Sequence, residues 1–206
     1  MHAGIAGIVI TSFACGSKSA GTSSGSAAAT TSPTAAHGTA VVSGTVKGSG
    51  AGAIVVLSPA DGHEVPPPAG AKVMDQAGYE FLPPLLVAQT GQAVQFRNSE
   101  DVLHNVRVTE VATDKPVFNV ATIAFGSYDY KFERPGFYTV TCDIHSSMRA
   151  DILVTSSPYA SKTDRKGGFA IDGVPAGAYT ATLYAGGAPT TKTVEVKDGK
   201  TELNLP

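Results

Sequence analysis

The chain has 206 residues, of which 16% are charged, and a formal net charge of −2. This length allows one large domain or two small ones, and the low charge argues against a polybasic binder of nucleic acid or of membrane surfaces. The 23 glycines and 13 prolines favour many turns and few long helices, and the 2 cysteines exclude a framework of structural disulfides.

The first 15 residues are typical of an export segment. Residues 1–14 are apolar but shorter than the roughly 20 residues that a membrane-spanning helix needs. Small residues surround Cys15, as at a bacterial lipoprotein cleavage site, where the cysteine becomes the lipid-modified first residue. Because Ser12 replaces the usual leucine and no Lys or Arg precedes the apolar run, an ordinary signal peptide is the alternative. We expect an exported protein of the periplasm or outer cell envelope, with membrane anchoring through a lipidated Cys15 as one option.

Residues 16–40 form a predicted linker that consists almost entirely of Gly, Ser, Ala and Thr. Side chains this small bury too little surface to offset the entropy of ordering, so we expect a disordered tether. A coil of about 25 residues has a root-mean-square reach of roughly 25–30 Å, which would hold a domain away from a membrane.

From residue 41 onward the sequence has a β pattern of short, alternating or apolar runs separated by turn residues. The predicted strands are 42–46, 53–57, 85–88, 93–97, 105–111, 127–133, 137–143, 150–155, 168–171, 178–184, 193–197 and 201–205. A proline-rich connector occupies 64–71. Turns are predicted at Asp172-Gly173, at 174–177 and at Asp198-Gly199. Short strands at this spacing predict an all-β protein built from β-sandwiches.

The alternation of side chains along strands predicts that His104 and Cys142 face one core. In the strand 137–143, Cys142 shares a face with Val140, because successive side chains point to opposite faces. In the segment LHNVRV, His104 has the same parity as Val106. If these valines face the core, both His104 and Cys142 point inward at strand ends.

Four side chains then form one candidate metal site: His104, Cys142, His145 and Met148. His145 and Met148 follow Cys142 at +3 and +6, close enough to converge from one loop. Two imidazoles, a thiolate and a thioether form the soft donor set that selects copper, and metal binding deprotonates the thiol. The alternative is ordinary core filling, which is the commoner role of a single Cys, Met or His. Four such residues in C-x2-H-x2-M after an upstream His-Asn pair are hard to obtain by chance.

Two of these segments, FRNSEDVLHNV and PGFYTVTCDIHSSM, resemble the cupredoxin family, and the short ligand loop looks most like that of amicyanins. The resemblance covers residues 71–155. It implies a Greek-key β-sandwich and one-electron transfer by a single copper ion. The implied ligands are His104, Cys142 and His145 in the equatorial plane and Met148 on the axis. It further implies that Asn105 ties the two ligand segments together by hydrogen bonds.

A second resemblance covers the segment TDRKGGFAIDGVPAGAYTATL, which is similar to carboxypeptidase-regulatory-like (transthyretin-like) β-sandwiches. The first two strands of such a domain would be VSGTVKGSG and AIVVLSP, which here precede the cupredoxin-like segment. We therefore expect a cupredoxin sandwich at 69–155 inserted into, or joined to, a second small sandwich. That second sandwich would be discontinuous, formed by residues 41–68 plus 156–206.

These features predict a blue-copper electron carrier that exchanges electrons with redox partner proteins and does not bind nucleic acid. We expect no enzymatic activity, because no Ser-His-Asp set, His-Glu-x-x-His helix or phosphate-binding loop is visible in the sequence. Two alternatives stay open: a copper-handling protein without redox turnover, and a structural envelope module.

The mid-loop position of His145 predicts that its imidazole edge reaches the surface. Ile144 and the turn from Leu82 to Leu85 could add an apolar patch suited to transient redox docking. The alternative for Leu82 and Leu85 is that both are core residues that flank a turn.

Overall fold

A computed structural model describes residues 39–206, which form β-strands and turns with no helix among them. No segment within 39–206 is a helix long and apolar enough to cross a membrane. The predicted export segment at 1–15 and the linker up to residue 38 lie outside the described residues. The linker boundary at residue 40 is wrong, because the first strand begins at Thr39 and Ala40 is buried and paired with Val174.

The strands are β1 (Thr39–Thr45), β2 (Ile54–Pro59), β3 (Lys72–Ala77), β4 (Glu80–Leu82), β5 (Leu85–Gln89), β6 (Ala93–Asn98), β7 (His104–Glu110), β8 (Lys115–Thr122), β9 (Ser127–Lys131), β10 (Gly136–Thr141), β11 (Arg149–Thr155), β12 (Ala160–Lys162), β13 (Gly168–Pro175), β14 (Gly177–Tyr184), β15 (Thr190–Val196) and β16 (Gly199–Glu202). The sequence pattern missed β3, β4, β8 and β12. Three of these, β4, β8 and β12, are edge strands, and β4 and β12 have only three residues each, too few to show an alternating pattern.

Strands β3 to β11 build a sandwich of two sheets, ordered β5-β11-β10-β7-β8 and β4-β3-β6-β9. Neighbours that are distant in sequence lie side by side, as in Greek-key sandwiches. The inward faces of both sheets share one apolar core, which includes Phe81, Phe96, Phe132, Val140 and Ile152. The candidate ligands lie at one end of this core.

The other strands build a second sandwich with sheets ordered β13-β1-β16 and β12-β2-β14-β15. Strands β1 and β2 precede the first sandwich in sequence, yet β1 pairs with β13 and β16, and β2 pairs with β12 and β14. Gly44 permits close packing here, since a Cβ at this position would meet the backbone oxygen of Leu203 at 1.8 Å. A separate apolar core, which includes Val42, Leu57 and Phe169, fills this sandwich.

The turn predicted at Asp172-Gly173 is wrong, because β13 continues through both residues. Val42 pairs with Ile171 and Ala40 with Val174, so two residues of β13 lie opposite one residue of β1. Gly173 has a φ of +70°, which its lack of a Cβ allows. The Asp-Gly pair therefore forms a β-bulge in a continuous strand.

The two sandwiches contact each other through a third apolar cluster. Ile54 and Val56 of β2 are buried together with Leu153 of β11, and Leu85 packs against them. Leu85 therefore packs in an apolar environment beside a turn, as the alternative interpretation predicted. Lys162 also donates a hydrogen bond from Nζ to the backbone oxygen of Leu85 at 2.6 Å.

Candidate metal centre

His104 and Cys142 lie at the same end of two neighbouring antiparallel strands. His104 is the first residue of β7, and Cys142 directly follows β10, which pairs with β7 through Val140 and Val108. His104 is 0% exposed and Cys142 is 3% exposed, and both valines are buried. The strand-parity prediction for these two side chains is confirmed.

Three donor atoms converge at this end of the sandwich. Nδ1 of His104 lies 3.0 Å from Nδ1 of His145, and Sγ of Cys142 lies 3.8 Å from the same His145 nitrogen. The three donor atoms all lie within 4.8 Å of one another. Two imidazoles from different segments and one thiol therefore face a common point.

The spacing of these atoms fits a bound metal ion. Nitrogen and sulfur ligands typically lie about 2.0–2.3 Å from a transition-metal ion such as zinc, so two atoms that share an ion are separated by at most roughly 4–4.6 Å. The separations of 3.0 and 3.8 Å lie inside that limit. Two imidazoles and a thiolate, with a thioether nearby, form a donor set suited to copper.

The loop from Cys142 to Met148 is closed by its own backbone. The N–H of Cys142 donates to the oxygen of Met148 at 3.3 Å, and the N–H of Met148 donates to the oxygen of His145 at 3.0 Å. Met148 is 1% exposed and belongs to the same buried cluster as Cys142. The loop thus brings the methionine into the core beneath the site, while His145 is only partly buried.

Glu100 sets the orientation of the His104 ring. Its Oε2 lies 2.8 Å from Nε2 of His104, and the same oxygen accepts a hydrogen bond from the N–H of Tyr79 at 3.3 Å. Burial alone raises the pKa of Glu100, but the hydrogen bonds from Tyr79 and His104 outweigh it, so this pKa lies below its ordinary value. An ionised carboxylate can only accept, so Nε2 of His104 carries a proton, and Nδ1 is the ring nitrogen directed at the site.

Asn105 connects the two ligand segments through its side-chain oxygen. Oδ1 accepts hydrogen bonds from the N–H of Asp143 at 2.6 Å, from the N–H of Ile144 at 3.4 Å and from Sγ of Cys142 at 3.3 Å. The role expected for Asn105 is therefore confirmed. This amide holds the start of the ligand loop against β7.

A further amide extends this connection to the surface. Nδ2 of Asn105 donates to Oδ1 of Asn119 at 2.8 Å, and Nδ2 of Asn119 donates to Oδ2 of Asp143 at 2.8 Å. The hydrogen bond from Asn119 is the main reason that the pKa of Asp143 lies below its ordinary value, and Arg107 contributes further. Asn105, Asn119 and Asp143 therefore form a closed triangle of hydrogen bonds beside the cysteine.

Three exposed apolar residues lie next to the histidines in sequence or contact Glu100 through the backbone. Leu103 and Ile144 directly precede the two histidines, and both are exposed. Phe125 is 73% exposed and its N–H donates to the backbone oxygen of Glu100 at 3.2 Å. We call Leu103, Phe125 and Ile144 the apolar rim. Leu82 is also exposed, so the alternative interpretation of Leu82 as a core residue is wrong.

Sequence reasoning missed three residues of this site: Tyr79, Glu100 and Asn119. Glu100 lies four residues before His104 in a loop, where spacing alone does not place two side chains together. Asn119 lies in the missed edge strand β8, opposite Arg107 of β7. The signal for Asn119 would have been the recognition of this hairpin, since cross-strand neighbours follow from its register.

Comparisons with known proteins give two kinds of similarity. Amicyanin-alpha of Methylorubrum extorquens is 30% identical over 88 residues, which are 42% of this chain and 74% of that protein. Residues 144–203 match the family described as polysaccharide lyase family 4, domain II. The second match begins within the ligand loop and extends through most of the second sandwich. It does not confirm the resemblance to carboxypeptidase-regulatory-like domains.

Solved amicyanin structures are also similar to this chain. A reduced Cu(I) form of an amicyanin variant at pH 4 is 26% identical with a TM-score of 0.39, and the match covers 43% of this chain and 85% of that chain. The amicyanin of Paracoccus versutus is 22% identical with a TM-score of 0.39, and the match covers 48% of this chain and 97% of that chain.

Proposed function

This chain belongs to the amicyanin family of cupredoxins, and we propose that it is a type 1 (blue) copper electron-transfer protein of the cell envelope. The observation that carries the proposal is the convergence of His104, Cys142 and His145, whose donor atoms lie within 4.8 Å of one another. A soft donor set of this kind at the end of a β-sandwich matches what a copper ion requires.

We propose that His104, Cys142 and His145 would hold the copper ion through two imidazole nitrogens and a thiolate, and that the thioether of Met148 would complete the site. Bound copper would supply a Cu(II)/Cu(I) couple that takes up and gives back one electron. The assignment of Met148 is supported by its burial in the cluster that contains Cys142 and by the backbone hydrogen bonds that close the loop. A thioether at a long axial distance tunes the potential more than it holds the metal.

The residues around the site restrict how far the ligands can move. Glu100 fixes the ring of His104, and Asn105 fixes the backbone that follows Cys142. Ligands held in this way keep nearly the same positions when the charge on the metal changes, because their supporting hydrogen bonds do not involve the metal. A small rearrangement between oxidation states favours rapid electron transfer.

Electrons would enter and leave at His145, the ligand that is only partly buried. The apolar rim lies at the same end of the molecule, and a small apolar surface suits brief encounters with redox partner proteins, where release matters more than affinity. Under this proposal the chain has no enzymatic role and no nucleic-acid partner. Export to the periplasm or outer envelope, with a lipid anchor at Cys15 as one option, rests on the sequence of residues 1–15.

For the second sandwich we propose a carboxypeptidase-regulatory-like domain, formed by 41–68 plus 156–206 and interrupted by the copper domain at 69–155. The chain leaves one sheet after β2 and re-enters it at β12, the direct neighbour of β2. The N–H of Leu57 donates to the oxygen of Tyr159 at 2.8 Å, so the places where the chain leaves and re-enters the second sandwich lie close together. A domain can be inserted without disrupting its host when these two places are adjacent.

Voltammetry of the copper-loaded protein tests the electron-carrier proposal. We expect a reversible one-electron wave that is absent from a matched Cys142→Ala variant. A protein that binds Cu(I) but shows no reversible oxidation would instead be a copper-handling protein, and the proposal would be wrong.

A further inference from the structure

Tyr79 occupies a backbone conformation that large side chains rarely adopt. Ala77 of β3 pairs with Glu80 of β4, so Gly78 and Tyr79 form a two-residue hairpin loop with φ angles of 64° and 58°. Two successive positive φ angles are typical of a type I′ turn, in which Gly, Asn and Asp are preferred. A bulky aromatic residue here is strained, and retained strain of this kind often accompanies a functional constraint.

The ring of Tyr79 lies against both histidines of the metal centre. Its centroid is 4.9 Å from that of His145 with an interplanar angle of 90°, and 5.8 Å from that of His104 with an angle of 78°. Both contacts are edge-to-face, an arrangement that aromatic rings favour at such distances. Tyr79 is 48% exposed, so a surface residue contacts both imidazoles.

The two histidines differ in what else holds them. His104 is fully buried and its Nε2 is hydrogen-bonded to Glu100. The ring of His145 is partly exposed, and its hydrogen-bond contacts within the described chain run through Nδ1, toward His104 and Cys142. The ring of Tyr79 adds an edge-to-face contact to His145 from a residue that is itself exposed.

We propose that Tyr79 is a positioning residue for His145. Its ring holds the exposed imidazole in the orientation that presents Nδ1 to the site, both before a metal binds and while it is bound. The consequence for copper rests on the proposed copper function, whereas the contact between Tyr79 and His145 can be tested in the metal-free protein. The strained turn is retained because it places an aromatic ring over the ligand pair.

Three substitutions distinguish the effect of the aromatic ring from the effect of the strained backbone. Tyr79→Gly removes the ring, relaxes the left-handed backbone and keeps the N–H that donates to Glu100. Tyr79→Ala removes the ring but keeps the strained backbone, and Tyr79→Phe keeps the ring and removes the hydroxyl. If the ring positions His145, the Gly and Ala variants should behave alike at the metal site and the Phe variant should match wild type.

The first measurement is NMR of the metal-free protein. We expect the side-chain resonances of His145 to lose the ring-current shift from Tyr79 and to broaden in the Gly and Ala variants, and to persist in the Phe variant. The second measurement is the rate of copper transfer to a chelator. We expect both variants without the ring to release copper roughly tenfold faster, because an edge-to-face pair changes an equilibrium constant by about two- to tenfold.

A purely structural role of Tyr79 in the hairpin predicts a different order. The free energy of unfolding would then depend on the backbone alone, so Tyr79→Gly would exceed wild type, whereas Tyr79→Ala and Tyr79→Phe, which keep the strained backbone, would both stay close to wild type. Copper release that follows this order, or His145 resonances unchanged in Tyr79→Gly, would overturn the proposal. If the wild-type protein took up no copper, the proposed function would fail, whereas the metal-free NMR comparison would still decide the role of Tyr79.

Discussion

The side-chain oxygen of Asn105 accepts a hydrogen bond from the backbone N–H of Asp143 at 2.6 Å. Asn105 directly follows His104, and Asp143 directly follows Cys142, so this contact joins two ligand segments that are 38 residues apart. This hydrogen bond involves none of the ligand atoms, and it therefore constrains the separation of the imidazole and the thiol.

Asn105→Ala should destabilise the metal-free protein by about 1 kcal/mol, because part-buried N–H groups of the ligand loop lose their acceptor. The measurement is urea unfolding of the metal-free protein. Asn119→Ala is the matched control, since it removes the side-chain hydrogen bonds to Asn105 Nδ2 and to the Asp143 carboxylate but leaves the loop N–H groups satisfied. An Asn105→Ala variant as stable as wild type would contradict this role.

Cys142→Ser should abolish the blue absorption of the Cu(II) form, because a hydroxyl is a poor soft donor and gives no comparable charge transfer. His104→Ala should open an equatorial position to water and change the spectrum. His63→Ala is the control, as this exposed histidine is bonded to Asp61 and lies outside the site. A wild-type spectrum in either site variant would show that the ligand assignment is wrong.

Met148→Leu and Met148→Gln should both retain copper and shift the reduction potential, because the axial bond is long and weak. The change to Leu nearly conserves volume, so the cost to folding stability should be less than about 1.5 kcal/mol. Copper content and voltammetry on the same sample give both readings. Complete loss of copper from Met148→Leu would argue against an axial position.

Ser146→Glu and Ser147→Glu should slow electron exchange with a small redox protein, because a charge beside His145 raises the cost of desolvating the docking face. Both serines are exposed, so the fold should tolerate the change. The control is Ser156→Glu, which adds the same charge at the opposite end of β11 from the ligand loop. An unchanged rate with an intact copper spectrum would place the electron port elsewhere.

Residues 157–206 alone should not fold, because β13 and β14 would lose their partners β1 and β2. A fragment of residues 69–156 should fold and bind copper by itself. As a matched control, residues 39–60 joined directly to 158–206 should restore the second sandwich, since β2 and β12 are neighbours. Circular dichroism and thermal unfolding of the three fragments decide this, and cooperative unfolding of 157–206 alone would refute the interrupted domain.

The inward orientation of His104 and Cys142 was predictable because side chains alternate along a strand. Once Val106, Val108 and Val140 are assigned to the core, the other residues of the same parity on these strands must also face the core. The same rule does not identify Glu100 or Tyr79, which reach the site from loops. Their positions depend on how two sheets pack together, which local periodicity does not encode.

Local turn signals were less reliable than alternation. Asp172-Gly173 has the composition of a hairpin turn, yet pairing with β1 on both sides keeps β13 extended and converts the dipeptide into a bulge. Gly78-Tyr79 is a true two-residue turn without the usual Asn or Asp. In both cases tertiary contacts outweigh the conformational preference of the residues.

The visible absorption spectrum of the oxidised, copper-loaded protein tests the central claim most directly. We predict one copper per chain and an intense blue band from charge transfer between the Cys142 thiolate and Cu(II), which a mild reductant bleaches and an oxidant restores. A colourless complex with Cu(I) alone would indicate copper handling without redox turnover. Absence of stoichiometric copper would indicate a structural module, and either result would contradict a blue-copper electron carrier.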